Sequence, residues 1–214
     1  MIRGIIFLAT VVSLLGQQSE LWTKAYGGSY LDMGSCAIET SDGGFAVVGS
    51  TQGTEGQNDI WLLKTDSIGD TLWTKIFDTN YHDRASSVQQ LADGGYLITA
   101  HTYVSTNVLW LIRTDSLGEI IWTNTYEGTV GNSSRASKMT SDGGLIITGR
   151  KYNTSNSSDD LWLLRVDSVG TELWIKSYGG DGHDGGQAVE DLPDGGFLVV
   201  GKIDNRAPTY TYDH

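Results

Sequence analysis

Residues 41–75 read SDGGFAVVGSTQGTEGQNDIWLLKTDSIGDTLWTK, and this stretch decides the fold. It holds three markers, Asp-Gly-Gly, Trp-Leu-Leu and Leu-Trp-Thr, which return in the same order, with conservative changes, about every fifty residues. Asp-Gly-Gly recurs at 42–44, 93–95, 142–144 and 194–196, and all seven tryptophans belong to the other two series. Three independent markers in one register indicate an internal repeat.

Each repeat carries four strand signals. A short strand A, such as Ala85–Gln90, leads into Asp-Gly-Gly, whose glycines allow the positive φ angles of a tight hairpin. Strand B is a near-continuous apolar run, which predicts burial on both faces. Strand C, a turn of the form Asp-Ser-x-Gly and strand D follow. The expected B strands are 45–49, 96–100, 145–149 and 197–201; the C strands are 60–64, 109–113 and 161–165; the best-defined D strand is 72–77.

Four antiparallel strands in about fifty residues is the pattern of one propeller blade. We therefore predict an all-β chain that forms a β-propeller of about four blades. The recurring glycine turns and the lack of a 3.6-residue period exclude a helical solenoid. A β-solenoid is the alternative, but its parallel strands do not suit the tight hairpins.

The phase of the repeats leaves two alternatives. The chain after the leader starts with a lone strand D (Leu21–Tyr26), continues through three full repeats and ends after A and B of a fourth. A ring would need Thr209–Tyr212 as the missing strand C, although that segment lacks Trp-Leu-Leu. The prediction is thus a domain over 17–214 that is either an imperfect ring or, as we favour, part of a longer propeller.

The N-terminus predicts export. Arg3 precedes an apolar run from Gly4 to Leu15, which is too short to span a bilayer but fits a signal peptide over residues 1–16. No other stretch predicts a transmembrane segment. The expected location is extracellular or on the cell surface, with the periplasm as an alternative. Cys36 is the only cysteine, so no intramolecular disulfide can form, and the net charge of −12 argues against a nucleic-acid partner.

The runs 41–50, 59–70 and 72–75 resemble the repeats of bacterial secreted β-propeller proteins, the large extracellular proteins of Bacteroidetes-like bacteria. The resemblance covers about residues 20 to 202 and implies a blade architecture and an exported protein. It implies little about activity. Asp66–Trp73 is similar in position to the Asp-box of sialidases but differs from that motif in spacing.

One polar series stands out from the scaffold. Each member precedes an Asp-Gly-Gly by ten residues, at the entry to strand A: Asp32, Asp83, Asn132 and Asp184. Oxygen ligands repeated around an axis suit Ca²⁺, the one cofactor that we consider; the alternative is that each residue caps the loop between strands D and A. His82 and His183 stand directly before two of them and are candidates for a binding face. No catalytic residue is predicted.

Strand alternation puts the A–B and C–D turns at one end of each blade and the B–C and D–A loops at the other. The turns are nearly identical between repeats, whereas the loops vary, and variable loops on a rigid scaffold are where binding is built. The favoured function is a binding or adhesion module for protein or glycan on the cell exterior. The alternatives are a structural spacer in a larger surface protein and a propeller enzyme of the glycosidase or quinoprotein type.

Overall fold

A computed structural model describes residues 23–53, 56–126 and 133–204, and every regular element in these ranges is a β-strand. Three sheets have four strands each, arranged in chain order, and a fourth sheet has two. The strands are β1 (Asp32–Glu39), β2 (Phe45–Gln52), β3 (Asn58–Thr65), β4 (Thr71–Phe77), β5 (His82–Gln90), β6 (Tyr96–Tyr103), β7 (Asn107–Thr114), β8 (Ile120–Tyr126), β9 (Ser133–Met139), β10 (Leu145–Asn153), β11 (Ser158–Val166), β12 (Glu172–Tyr178), β13 (Gly185–Asp191) and β14 (Phe197–Lys202).

Each four-stranded sheet is one repeat, laid down as an up-and-down meander, and the chain has an all-β fold of the β-propeller class. The strand pairs of the first and third sheets are antiparallel throughout, which is the pairing that the tight hairpins predict. The described residues form two compact units: one runs up to Ile98 and includes Arg113–Ile121, and the other comprises Thr99–Ile112 and the residues from Trp122 onward.

The B strands lie at the centre of their sheets. In the first sheet, Val47 of β2 is paired with Ala37 of β1 on one side and with Leu63 of β3 on the other. The cores of β2, β6 and β10 are buried, as their apolar sequences predict. The same prediction is wrong for β14, where Leu198 is 54% exposed and Val200 is 56% exposed. The reason is that Phe197 and Val199 pack against the third sheet, whereas Leu198 and Val200 lie on the opposite face of β14, which the described residues leave exposed.

Several strands are longer than expected, because backbone pairing continues beyond the apolar runs. Strand A of the second repeat begins at His82 rather than at Ala85. In the first sheet the β1–β2 ladder extends to Asp32 paired with Thr51, past a bulge between Gly34 and Cys36. The variable loops are correspondingly shorter than the sequence suggests.

The expected lone strand D at the N-terminus is wrong for its described part. Residues 23–26 form no strand, because among the described residues they have no ladder partner. Leu21 and Trp22, the signal segment 1–16 and Thr209–Tyr212 lie outside the described residues. The segment nevertheless contacts the first sheet, since the Tyr26 hydroxyl donates a 2.6 Å hydrogen bond to the Gly69 carbonyl.

Tryptophans of strand D join one repeat to the next. Within the first unit, the Trp73 ring lies against Gly118 in the following repeat and meets Tyr96 edge-on, with ring centroids 5.9 Å apart. Within the second unit, Trp122 lies against Gly170 in the same way, and the Tyr126 hydroxyl donates to the Gly170 carbonyl at 2.6 Å. A half-buried tryptophan that packs on a glycine turn is therefore the joint between repeats.

We expect His101 of β6 to make the second unit sensitive to acid. Its Nε2 accepts a hydrogen bond from the Ser134 backbone N–H at 2.8 Å, and its Nδ1 is buried without a partner in the described structure. Burial lowers the pKa of His101 to about 4. An unfolded chain takes up this proton near pH 6.5 and the native chain does not, so stability is complete above pH 6.5 and falls as the pH drops towards 4.

We therefore expect a His101→Gln variant to lose less stability than the wild-type chain between pH 7 and pH 4. Urea unfolding followed by tryptophan fluorescence at several pH values measures the difference. If the free energy of unfolding fell equally with pH in the two proteins, His101 would not be the group that titrates.

Candidate functional site

The A–B turn is fastened by a buried cation from strand C. Lys64 is 4% exposed, and its Nζ lies 2.9 Å from Asp42 of the Asp-Gly-Gly turn. The equivalent cations, Arg113 and Arg165, pair with Asp93 and Asp142. The Thr40 hydroxyl bond, followed by the Lys64 bond, holds the pKa of Asp42 well below its usual range. The cations of strand C and the aspartates of Asp-Gly-Gly therefore stabilise the hairpins and are not available to a ligand.

The C–D turn is self-contained in the same way. Asp66 Oδ1 accepts the backbone N–H groups of Ile68 at 3.0 Å and Asp70 at 2.7 Å, and Asp115 and Asp167 make the equivalent bonds. The aspartate closes its turn through its own backbone, as the sequence predicts. The turn end of each four-stranded sheet, meaning its A–B and C–D turns, therefore has the polar groups that recur in every repeat paired within the turns themselves.

The loop end, meaning the B–C and D–A loops, holds the predicted polar series. Asp32, Asp83 and Asp184 are 3%, 0% and 1% exposed. Each accepts the backbone N–H of the residue four positions earlier: Gly28 at 2.7 Å, Thr79 at 2.9 Å and Gly180 at 2.9 Å. All three thus cap a D–A loop, and Asn132 lies outside the described residues. Calcium binding by this series stays a prediction.

In the first unit, the structure adds two carboxylates to Asp83. One oxygen from each of Asp59, Asp78 and Asp83 lies within 4.8 Å of the other two. Asp83 is buried, Asp59 is half-buried and Asp78 is exposed. Burial, and then the charges of Asp78 and Asp83, raise the pKa of Asp59. Such a group could hold a hard cation such as Ca²⁺, which takes carboxylate oxygens.

The second unit repeats part of this arrangement. Asp160 stands in the place of Asp59, and both Asp160 and Asp184 contact the space beside Gly179. Asp160 is 8% exposed; its Oδ2 accepts from Asn153 Nδ2 at 2.9 Å, whereas its Oδ1 has no hydrogen-bond partner in the described structure. The intervening repeat has Val108 at this position, so the feature is not shared by all repeats.

His82 and His183 lie at the loop end, as expected, and in equivalent positions. His82 Nδ1 accepts the Asn58 N–H at 3.3 Å, and His183 Nδ1 accepts the Asp159 N–H at 3.2 Å. Both side chains therefore link a D–A loop to the first residues of strand C, within one unit each. Each ring keeps Nε2 for a ligand or solvent.

Exposed aromatic side chains lie at the loop ends of the sheets in both units. Among the described residues, every aromatic side chain that is more than one-third exposed is a tyrosine of a B–C or D–A loop or of the strand residues beside it: Tyr30, Tyr81, Tyr103, Tyr152 and Tyr178, at 42% to 51%. The turn end exposes aliphatic residues instead, such as Ile68 and Leu117. The two ends of the sheets therefore differ in the chemistry that they offer a ligand.

Sequence reasoning identified Asp83 and missed Asp59, Asp78 and Asp160. The available signal was the acidic residue directly before Ile60-Trp61 and Leu161-Trp162 at the start of strand C. The pairing of Ile60 with Phe77 brings the next two residues outward, Asp59 and Asp78, opposite one another. That step needs the register, which the sequence alone does not provide.

No family model and no curated protein matches the sequence. One similar solved structure is the endo-arabinase from Bacteroides thetaiotaomicron VPI-5482, with a TM-score of 0.50 and 14% sequence identity, over 95% of this chain and 80% of that chain. At this identity the likeness concerns the fold, and it agrees with the β-propeller class. In the part of the chain that the structure describes, no helix is long and apolar enough to cross a membrane.

Proposed function

We propose that this protein is an extracellular binding module that recognises a neutral glycan through the loop ends of its sheets. The observation that carries the proposal is the placing of the five half-exposed tyrosines, all at that end and none at the turn end of the described sheets. A tyrosine offers a flat apolar face with a polar tip and loses little rotamer entropy on binding, so it is favoured at recognition surfaces.

The neighbouring groups favour a sugar without charge. Tyr81 lies between Asp78 and Asp83 in the same D–A loop and is followed by His82, so this loop also carries hydrogen-bonding groups. Sugar hydroxyls can pair with carboxylates and imidazole, while an acidic glycan or nucleic acid would meet like charge from a chain of net charge −12. The similar fold of an endo-arabinase, whose name denotes action on a glycan, also supports this ligand class.

The experiment is a glycan array probed with the intact protein, followed by calorimetry on the best ligand. We expect Tyr81→Ala or Tyr152→Ala to weaken binding about tenfold, the usual loss when a central aromatic contact is truncated. Ile68→Ala and Leu117→Ala are matched controls, since these side chains are 58% and 62% exposed at the turn end. We expect these controls to bind like the wild type.

Two results would count against the proposal. Equal losses of ligand affinity in the loop-end and turn-end variants would mean that the substitutions act through the stability of the protein rather than through a binding face. An array with no hits would favour the structural-spacer alternative.

A second candidate is a glycoside hydrolase, and Asp59 is the observation that favours it. Its raised pKa is a property of a general acid, and a second carboxylate lies close by. Asp83, however, is fully buried and accepts hydrogen bonds from Thr79, so it does not face a substrate. Incubating the array's best ligand with wild-type protein and with Asp59→Asn distinguishes the candidates: sugar release that Asp59→Asn abolishes identifies an enzyme.

A further inference from the structure

Asp160, near the start of β11 in the second unit, is a buried carboxylate with one oxygen that no described group satisfies. The residue is 8% exposed. Its Oδ2 accepts a hydrogen bond from Asn153 Nδ2 at 2.9 Å, whereas its Oδ1 is buried without a hydrogen-bond partner. An ionised oxygen that is withdrawn from water is strongly unfavourable unless a donor or a cation meets it. The Asp160 Oδ1 atom therefore points to a bound partner.

A second buried carboxylate faces the same space. Asp184 is 1% exposed, and it accepts the backbone N–H groups of Gly180 at 2.9 Å and Asp204 at 2.7 Å, which fix its orientation. A Cβ built on Gly179 would touch Asp160 Oδ1 and would lie 2.6 Å from Asp184 Oδ2. The two carboxylate oxygens thus lie on either side of one point, and only the lack of a side chain at Gly179 keeps that space open.

The charge of this carboxylate pair is not balanced by a described side chain. Neither Asp160 nor Asp184 forms an ion pair with any described Lys, Arg or His. Lys151 lies opposite Asp160 in the ladder of β10 and β11, but it does not pair with it. Two buried carboxylates need two positive charges, and a divalent cation supplies both at one point.

The first unit has a different arrangement at the equivalent position. Asp78 stands in the place of Gly179, and its carboxylate joins those of Asp59 and Asp83. Asp78 is exposed and Asp59 is half-buried, so water reaches their charges. The second unit has one carboxylate fewer, and both of its carboxylates are buried. Its need for a counter-ion is therefore the greater of the two.

We propose that the second unit binds one Ca²⁺ ion between Asp160 Oδ1 and Asp184 Oδ2, in the space beside Gly179. Ca²⁺ takes carboxylate oxygens at about 2.3–2.6 Å in irregular geometries and accepts water or backbone carbonyls as its other ligands. Two carboxylates also match its charge. The site differs from a ring of oxygens around an axis, because both ligands lie in one unit. It goes beyond the proposed glycan binding and does not depend on it.

The ion would connect two successive repeats. Asp160 belongs to β11 of the third sheet, whereas Asp184 directly precedes β13 of the fourth. The described protein contacts between these segments include the hydrogen bond from the Asp184 N–H to the Asp159 carbonyl at 2.6 Å. A shared cation adds a second link at the same place, so calcium is expected to stabilise the second unit.

The first experiment compares thermal unfolding of the full chain in EDTA and in CaCl₂ at constant ionic strength. At a calcium concentration about 100 times the dissociation constant, we expect the melting temperature of the wild type to rise by about 5 °C or more. Asp160→Asn is expected not to respond to calcium. In EDTA, this variant is expected to be at least as stable as the wild type, because it removes a buried charge that has no partner.

Two adjacent glycines give a matched pair of variants that keep both carboxylates. Neither Gly179 nor Gly180 has a positive φ, so alanine carries no left-handed backbone cost at either position. A Cβ on Gly179 would fill the space between the two oxygens, whereas a Cβ on Gly180 meets no atom within 4 Å. We expect Gly179→Ala to abolish the calcium response and Gly180→Ala to retain it.

Asp59→Asn distinguishes the two units, because Asp59 is the first-unit equivalent of Asp160. In isothermal titration with CaCl₂, we expect Asp59→Asn to keep the second-unit site and Asp160→Asn to lose it. Three results would overturn the proposal. These are a wild-type melting temperature that calcium leaves unchanged, a calcium response that Asp59→Asn abolishes and Asp160→Asn keeps, and an Asp160→Asn protein that is less stable than the wild type in EDTA.

Discussion

Replacing Asp93 by alanine is expected to lower the free energy of unfolding by about 3 kcal/mol, because it leaves the Arg113 guanidinium buried without its anion. Arg113 is 8% exposed, and its remaining described partner is the Thr114 carbonyl, which does not neutralise its charge. The reverse change is milder, since the Asp93 side chain is 61% exposed and returns to water when Arg113 is removed.

Asp194→Ala is a matched control within the same chain. Both aspartates follow a leucine by two residues, and each accepts the N–H of its second glycine at 3.0 Å. The loss of that bond is common to the two variants and costs about 1 kcal/mol. Among the described residues only Asp93, of these two aspartates, is paired with a buried cation, so the difference between the variants measures the ion pair.

Urea unfolding at neutral pH and low salt, followed by intrinsic tryptophan fluorescence, supplies both values. A cost for Asp93→Ala no larger than that for Asp194→Ala would mean that the guanidinium finds water or another acceptor. The role of the cation as the fastening of the hairpin would then have to be abandoned.

Gly118→Ala is the second large effect, with an expected loss of about 3 kcal/mol in stability. Gly118 has φ of 79°, a left-handed conformation that costs an alanine about 1 kcal/mol or more. A Cβ there would also lie 2.8 Å from Cζ3 of Trp73, whose ring is held between this turn and Tyr96. The ring would have to move, and packing across the joint between the first two repeats would be lost.

Gly43→Ala separates the backbone cost from the steric clash with Trp73. Gly43 has φ of 80°, and a Cβ built on it meets no atom within 4 Å, so this variant carries the backbone cost alone. We expect it to lose about 1 kcal/mol. Thermal unfolding with near-ultraviolet circular dichroism reports on both stability and the environment of Trp73. A Gly118→Ala protein with the stability and spectrum of Gly43→Ala would contradict the proposed joint.

The repeat made most of the fold predictable. Strand order and hairpin type follow from the spacing of Asp-Gly-Gly and tryptophan. The ends of the strands could not be predicted from the repeat, because the β1–β2 ladder continues through polar residues such as Thr51. The exposure of β14 also escaped prediction, since an apolar strand has the same sequence whether or not a neighbour covers it.

The sequence predicted where the variable loops lie, but not which of their side chains come together or remain exposed. The position of Asp83 in the repeat drew attention to it, whereas its neighbours Asp59 and Asp78 are brought together by the register of β3 and β4. The exposed tyrosines were missed for a related reason. Tyr96 and Tyr126 are buried while Tyr81 and Tyr103 are exposed, and only the packing distinguishes them.

The joint between repeats has a consequence for how such a chain can change its length over evolution. Each repeat contributes an aromatic from strand D to its successor and offers a glycine turn to its predecessor, as Trp73 with Gly118 and Trp122 with Gly170 show. A duplicated segment of one repeat would therefore bring both halves of the joint with it. Gene duplication or deletion in whole repeats can alter the number of blades without new contacts having to arise, while the loops diverge independently.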